Sequence, residues 1–316
     1  MSSLLDFEKP VAELEGKVRE LRHLADGSDL DLVEEITKLE GRASKLLSQT
    51  YSKLSPWQKT QVARHPDRPH FKHYLSSLVT DFTPLAGDRS FGEDQAIVGG
   101  FARFRGRSIM ILGHEKGDDT EERVKHNFGY ARPEGYRKAV RLMQLADRFK
   151  IPVITLVDTP GAHPGIGAEE RGQAEAIARS IETCLSLKVP MISVIVGEGG
   201  SGGAIAIAAA DRILMLEHSI YSVISPEGCA AILWRKSEEA ATAAGSLKLI
   251  SSDLLEMELI DEVIEEPIGG AHRGRQTAIE AVGDAIERHL QELSGYTAEQ
   301  VKRMRRDKFL KMGSFD

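Results

Sequence analysis

Cysteine is almost missing from this sequence: Cys184 and Cys229 are the only two, far apart and in no Cys-x-x-Cys pair. Neither a disulfide framework nor a zinc ribbon can be built from them, and both read as small buried hydrophobes. Long apolar runs are lacking too. The longest, such as Ile151 to Val157 and Met191 to Val196, fall far short of the roughly 20 residues that a bilayer crossing needs. The start, Met1 to Pro10, carries acids and a proline but neither a basic nor an apolar signal region, so a cytoplasmic protein is expected. Positive charge is not in excess, with 41 Lys and Arg against 48 Asp and Glu. Neither nucleic acid nor an anionic membrane is therefore expected as a main partner. No His-x-x-x-His spacing occurs, and His163, His218 and His272 stand isolated in the sequence, so no metal set is expected in this chain.

What is present is enough chain, 316 residues, for one large α/β domain with an appendage. Val11, Leu14, Val18 and Leu21, then Leu32, Ile36, Leu39, Ala43 and Leu46, repeat at three and four spacing around a break at Asp26-Gly27-Ser28-Asp29. Two amphipathic helices turned back on each other follow from that pattern. So short a hairpin needs support, from the main domain or from a partner. Ser55-Pro56, Pro66 and Pro69 predict short helices over 55–80. Ala96 to Phe104 and Ser108 to Leu112 read as a hairpin. The order then becomes helix (Pro133 to Phe149), strand (Val153 to Val157), helix (Ala168 to Leu187), strand (Met191 to Val196), helix (Gly202 to Ala210) and strand (Ile213 to Leu216). Such alternation predicts a mainly parallel sheet with ligands at the carboxyl ends of its strands. A strand over Leu259 to Ile264, a helix over Thr277 to Leu293 and a last helix from Thr297, capped by Gln300 and basic from Lys302 to Lys311, complete the chain. A solvated face is expected for that last helix.

The densest signal is Gly197-Glu198-Gly199-Gly200-Ser201-Gly202-Gly203-Ala204, after a strand and before a small-residue helix. Without a Cβ, backbone can approach a ligand closely, and the first N–H groups of a helix point outward with a positive dipole, so the turn can cradle an oxyanion. The plainer alternative is tight helix-to-sheet packing. Gly197-x-Gly199-x-x-Gly202, with Glu217 about 20 residues on, also satisfies the dinucleotide fingerprint, which leaves an NAD-binding oxidoreductase open. Gly199-x-Ser201-x-Gly203 followed by Asp261 and His272 satisfies the nucleophile-elbow order of a serine hydrolase. A second strand-to-helix junction reads Asp158-Thr159-Pro160-Gly161-Ala162-His163-Pro164-Gly165. It imitates a GTPase magnesium element, but no phosphate-binding loop precedes it. A proline-pinned loop of this kind offers backbone N–H groups and a flat wall to a planar ring. Lys116, Arg123, Lys125, Arg137, Lys138 and Arg141 are candidates for CoA phosphates, although interleaved Asp118, Asp119, Glu121 and Glu122 favour an ion-paired surface.

Taken together, Gly197–Ala204, Asp158–Gly161, Gly167–Gln173 and Tyr221–Cys229, with Arg64–Pro69, Pro133–Ala139 and Gly269–Arg273, resemble the acetyl-coenzyme A carboxylase carboxyltransferase alpha family over nearly the whole chain. The resemblance implies an α/β crotonase-type fold of stacked ββα units behind an N-terminal helical region (1–80, with a core over 81–294 and a basic C-terminal helix over 295–316). It implies transfer of a carboxyl group from carboxybiotin, tethered to a biotin carboxyl carrier protein, to acetyl-CoA, giving malonyl-CoA for fatty acid synthesis. The expected partners are a zinc-bearing beta subunit in an alpha2beta2 heterotetramer, the carrier protein and biotin carboxylase. Carried over to this chain, the oxyanion hole falls on Gly202, Gly203 and Ala204. Biotin binding falls on Gly161, His163, Gly165, Gly199 and Gly200, with the Gly161 to Gly167 loop as the wall beside the ring; Lys116, Arg123 and Lys125 remain weaker candidates for CoA. His163 departs from the tyrosine common in the family. A non-catalytic scaffold stays as the remaining alternative.

Overall fold

The computed structural model describes residues 4–24 and 30–313. The expected break at Asp26-Gly27-Ser28-Asp29 lies outside them. On either side, α1 (Lys9–Leu24) and α2 (Leu30–Tyr51) bury Val11, Val18 and Ala43, and Arg22 donates to Glu40 across the pair at 2.5 Å. The base of the pair rests on its own chain. Arg273 donates from Nε to Glu8 at 3.2 Å and from Nη1 to Glu15 at 2.7 Å, and the Tyr51 ring meets His218 edge-on, centroids 5.4 Å apart.

Ser55 opens α3 (Pro56–Ala63) with a reciprocal cap: its hydroxyl accepts from Gln58 N, and the Gln58 side chain accepts from Ser55 N. After α4 (Phe71–Leu78) the chain turns extended one residue before the expected end of the helices, into β1 (Val79–Pro84). β1 pairs antiparallel with β2 (Ile97–Phe104), which pairs antiparallel with β3 (Arg107–His114), the expected hairpin.

Beyond α5 (Thr120–Lys125), α6 covers Pro133–Phe149 and β4 covers Val153–Thr159. The helix expected over Ala168–Leu187 is two: α7 (Ile166–Glu170) and α8 (Gln173–Ser186), separated by Gly172 at φ 78°. An arginine drawn toward Glu134, with Arg171 Nε donating to it, and the left-handed glycine behind it end the first segment. β5 (Met191–Gly200) runs into the one-turn α9 (Ser201–Ile205); β6 (Arg212–Leu216), β7 (Ile220–Ser222), α10 (Pro226–Trp234), α11 (Ala240–Ser246), α12 (Ser251–Glu256), β8 (Glu262–Ile264), α13 (Arg275–Leu293) and α14 (Ala298–Lys311) follow.

The strand order is β1-β2-β3-β4-β5-β6-β8, parallel from β3 onward, with β7 parallel to β5. Alternation along each strand divides the core. Met110, Leu112, Val157, Ile195 and Met215 face α6 and α8; Ile111, Ile154, Val194, Leu214 and Val196 face α4 and α13. Ile279, Val282, Ile286 and Leu290 of α13 are each 1 % exposed or less. Burying each such side chain stabilises the fold by about 1.5–3 kcal/mol, as an upper estimate.

The solvated basic face expected for the last helix is present at Arg303, Arg306 and Lys311, all exposed, but one basic residue of the helix turns inward. Arg305 of α14 is fully buried, bridging Asp211 at 2.5 Å and the carbonyls of Cys184, Leu187 and Val189. Cys184 is the buried hydrophobe it was expected to be, its thiol pushed up to about 12 by burial, whereas Cys229 is only half-buried. No helix among the described residues is long and apolar enough to cross a membrane.

Candidate active site

β5 changes neighbours halfway along. Its first half pairs with β6 through Ile192–Ile195, and its last residues Glu198, Gly199 and Gly200 pair with Ile220, Tyr221 and Ser222 of β7, while Thr159 at the end of β4 flanks Gly199. The glycine-rich segment is thus mostly strand, and its glycines are explained by what touches them. A Cβ on Gly197 would lie 2.5 Å from Asp158 Oδ1, on Gly200 2.2 Å from the Pro160 carbonyl oxygen, and on Gly203 2.7 Å from Ala162 N. Gly199 is closed in by Tyr221 at 2.9 Å. Gly202 alone of the group has room, with the Ile177 methyl groups 3.6 Å away.

These distances bear on two of the expected roles. Gly199 and Gly200 are buried strand residues; they hold the two junction loops together and present no wall to a ring. With Gly200 as the cap of α9, helix geometry leaves the N–H groups of residues 201 to 203 without intrahelical acceptors and commits that of Ala204 to the cap carbonyl. Ala204, fully buried, therefore drops out as a free donor.

The second junction lies directly against the first. A Cβ on Gly161, at φ 147°, would stand 3.9 Å from Gly200 O and 4.0 Å from Ser201 Cβ. Thr159 Oγ1 donates to the carbonyls of Gly129 and Gly161, and Gln173 Nε2 donates to those of Ala131 and His163 at 3.0 Å each. His163 N donates to Ala131 O, its Nδ1 lies 3.2 Å from Asn127 Nδ2, and its ring folds over Gly165, where a Cβ would meet Nε2 at 2.4 Å. The loop is braced, because the carbonyls of Gly161, His163 and Gly165 each accept a hydrogen bond.

Beyond Gly202 opens a cleft of about 480 Å³, lined by Ser201, Gly202, Ile205, Tyr221, Leu259 and Phe309 among others. Its walls are mostly apolar, and burial pushes the Tyr221 phenol up to about 12, so it stays protonated. Sequence reasoning noted Tyr221 only as part of a motif, because β7 was not foreseen. On the other side of Pro160 a smaller cavity of about 260 Å³ brings together Lys116, Arg123, Arg64, Asp158 and Glu198. Lys116 Nζ sits 2.6 Å from Asp158 Oδ1, which also accepts from Glu198 N at 2.9 Å. Burial opposes ionisation of Asp158, but Lys116 and these bonds hold its carboxyl below the ordinary value. Two expected CoA candidates thus share a cavity, while Lys125 is exposed and lines neither space.

The motif Arg64 to Pro69, which carried no legible function, supplies the clamps. Arg64 bridges Glu198 at 2.7 Å and Glu227 at 2.6 Å. Arg68, fully buried, forms a bidentate pair with Glu266 at 2.8 Å on both arms and donates to the Val196 carbonyl.

The competing readings of the glycine turn fail on position. Gly197 and Gly199 sit inside a strand, so no phosphate loop forms from the dinucleotide pattern. Ser201 stands on a left-handed turn, φ 51°, as a nucleophile elbow would. But Asp261 accepts from Ile213 N and pairs with Lys308, His272 stacks on His65 with centroids 4.0 Å apart, and no histidine lines the cleft among the described residues. His272 is therefore not isolated. With His65 and Glu8 it forms one of two groupings of ligating atoms within 4.8 Å, the other being His70, His73 and Asp118. A cation already sits on each carboxylate, Arg273 at 3.2 Å on Glu8 and Lys72 at 3.0 Å on Asp118, so both are read as ion-pair clusters.

Comparison with known proteins follows the same geometry. A family model described as acetyl co-enzyme A carboxylase carboxyltransferase-like matches residues 4–313. A protein of Paramagnetospirillum magneticum named acetyl-coenzyme A carboxylase carboxyl transferase subunit alpha is 62% identical over 310 residues, covering 98% of each chain. One of the same name from Zymomonas mobilis is 63% identical over 313 residues, covering 99% of this chain and 100% of the relative. Among solved structures, transcarboxylase 12S with methylmalonyl-coenzyme A superposes with a TM-score of 0.55 at 22% identity, over 67% of this chain and 41% of that one. A Pseudomonas malonate decarboxylase hetero-tetramer in complex with coenzyme A gives 0.55 at 16% identity, over 66% and 84%. At such identities these structures speak for the fold alone, which is the crotonase-type fold of carboxyltransferases.

Proposed function

The chain belongs to the family of acetyl-coenzyme A carboxylase carboxyltransferase alpha subunits, and from that premise we propose how its residues serve the transfer. It is one component of a biotin-dependent carboxyltransferase acting in fatty acid biosynthesis, and it works in a complex with a beta subunit. On this reading the complex is an alpha2beta2 heterotetramer in the cytoplasm, the beta subunit brings the zinc and most of the acetyl-CoA site, and biotin carboxylase recharges the carrier.

Carboxybiotin, arriving on its carrier protein, supplies the activated carboxyl group for acetyl-CoA. The observation that carries the assignment of residues is the cleft beside Gly202: its apolar walls and size suit a fused bicyclic ring, and main-chain donors stand at its mouth. The N–H groups of Gly202 and Gly203 meet negative charge as it develops on the ring's carbonyl oxygen. One such donor is worth roughly 3 kcal/mol, a factor of about 100 to 1,000 in rate. Gly161, His163 and Gly165 do not line the cleft themselves; their loop, held by Gln173 and Thr159, is assigned the side of the ring next to the α9 turn. Gly199 and Gly200 keep both loops in register. Lys116 and Arg123 face a separate cavity, where CoA phosphates are their weaker assignment. On the same reading, residues 1–80 are a supporting region, 81–294 the catalytic core and 295–316 a C-terminal segment whose α14 docks on that core.

The test uses Gly202, because substitution at Gly203 would press on Ala162 and confuse folding with chemistry. In the complex reconstituted with the zinc-bearing partner, Gly202→Ala retains its thermal midpoint. Its carboxyl exchange between malonyl-CoA and biocytin falls tenfold or more, because the new methyl, 3.6 Å from the Ile177 methyl groups, crowds the space beside the Gly202 N–H. Full exchange activity in this variant would reduce the turn to a packing device.

A further inference from the structure

α14 leaves the core and returns to it at a particular place. Arg305 makes five hydrogen bonds, two to Asp211 and three to the carbonyls of Cys184, Leu187 and Val189, all in the interior. One helical turn on, Phe309 lies on the same face, and Met312 follows at the end of the helix. Lys308 pairs with Asp261, fixing the helix from its other side. Phe309 and Met312 line the same cleft as Gly202 and Tyr221. An appendage with only a solvated basic face would need no such anchor.

We propose that α14 is a wall of the biotin cleft, with Phe309 and Met312 as specificity-determining residues that grip the apolar half of the ring and the alkyl arm behind it. This rests on the reading that the ring enters the cleft beside Gly202. The chemistry is complementary: a thioether and an aromatic face pack well against a ring sulfur and methylene groups, and neither offers a polar atom that would compete for the ureido group. Arg305 is a positioning residue. It sets the distance of Phe309 from the α9 turn, so the interior anchor and the ligand wall belong to one rigid element.

The experiment measures carboxyl exchange in the complete complex, varying biocytin and malonyl-CoA separately. Phe309→Ala raises KM for biocytin tenfold or more, changes kcat by less than about threefold and leaves KM for malonyl-CoA as in the wild type, the pattern of lost ground-state binding. Phe309→Leu, which keeps an apolar wall, restores most of the biocytin KM. Analytical ultracentrifugation of each variant with its partner confirms that the complex is intact. An unchanged biocytin KM in Phe309→Ala overturns the proposal, as does a rise confined to malonyl-CoA. If Gly202→Ala is also without effect on exchange, the cleft assignment itself has failed. If Gly202→Ala is impaired while Phe309→Ala is normal, the cleft stands and only the role of α14 is lost.

Discussion

Tyr136 shows how closely the site is packed from below. Its hydroxyl is fully buried and has no hydrogen-bond partner, and it lies 3.0 Å from where a Cβ on Gly203 would stand. Burial raises its pKa further above the ordinary phenol value, so it is a neutral group carrying an unmet desolvation cost. Removing only that oxygen leaves the buried ring in the core cluster it belongs to. Tyr136→Phe is therefore expected to leave stability unchanged or raise it by up to about 1 kcal/mol, read from urea unfolding midpoints. A loss of more than about 1 kcal/mol would mean that the hydroxyl serves the turn. Gly203 shows the opposite case, since there the addition of one carbon has nowhere to go. The sequence announced both glycines of the pair equally; only the neighbouring loop, some 40 residues upstream, separates them.

At the scale of elements, the stretch around Arg68 ties three of them together. Arg68 reaches from the loop after α3 to the middle of β5 through Val196 O and to the segment after β8 through Glu266. Glu266 also accepts from His218 N at 3.0 Å and Ala271 N at 2.6 Å. Truncating one partner of a buried pair strands the other's charge, so Arg68→Met is expected to cost about 3–5 kcal/mol in denaturant unfolding. Adding Glu266→Leu removes the stranded charge but leaves two backbone N–H groups without an acceptor, so the double variant recovers only part of the loss. Full recovery would show that the clamp is dispensable. This clamp marks the limit of what was legible. α6 occupies Pro133–Phe149 as its spacing and proline predict, and Ser55 and Thr297 cap α3 and α14 as expected, since those signals are local. β5 runs four residues past its expected end at Val196, because Glu198 to Gly200 pair with β7, a contact that no local pattern encodes. The same holds for β1 and for Arg64 and Arg68, whose motif was visible but whose partners lie some 130 to 200 residues away.

In the whole molecule, three carboxylates at separate joints share one electrostatic condition. Glu8 joins the N-terminal helices to Arg273, Asp88 joins the loop after β1 to Arg137 of α6, and Glu266 joins Arg68 to the segment after β8. Burial opposes the charge on each. Glu8 is nonetheless held to about 2 by His272, Tyr51 and Arg273, Asp88 to about 2 by the N–H groups of Ser90 and Phe91 with Arg137, and Glu266 to about 2 by Arg68 and His218. Each binds protons more weakly folded than unfolded, where the ordinary values are 4.5 for Glu and 3.8 for Asp. The stability they contribute is therefore fully present above about pH 4.5 and is lost as the pH falls toward about 2. Buried His114, held to about 3, and His218, also lowered by burial, must take up protons on unfolding below the ordinary histidine value of 6.5. Urea midpoints should therefore decline gradually from about pH 6.5 and then steeply below about pH 4.5, where the N-terminal helices, the sheet edge and the β5 end are released. Glu8→Gln tests whether the joints act this way. It lowers the midpoint at neutral pH, because Arg273 and His272 lose their carboxylate, and it makes the acid-side slope shallower, because one titrating group has gone. A variant that keeps the wild-type slope below about pH 4.5 would show that Glu8 contributes nothing to acid unfolding and that the fold loosens elsewhere first.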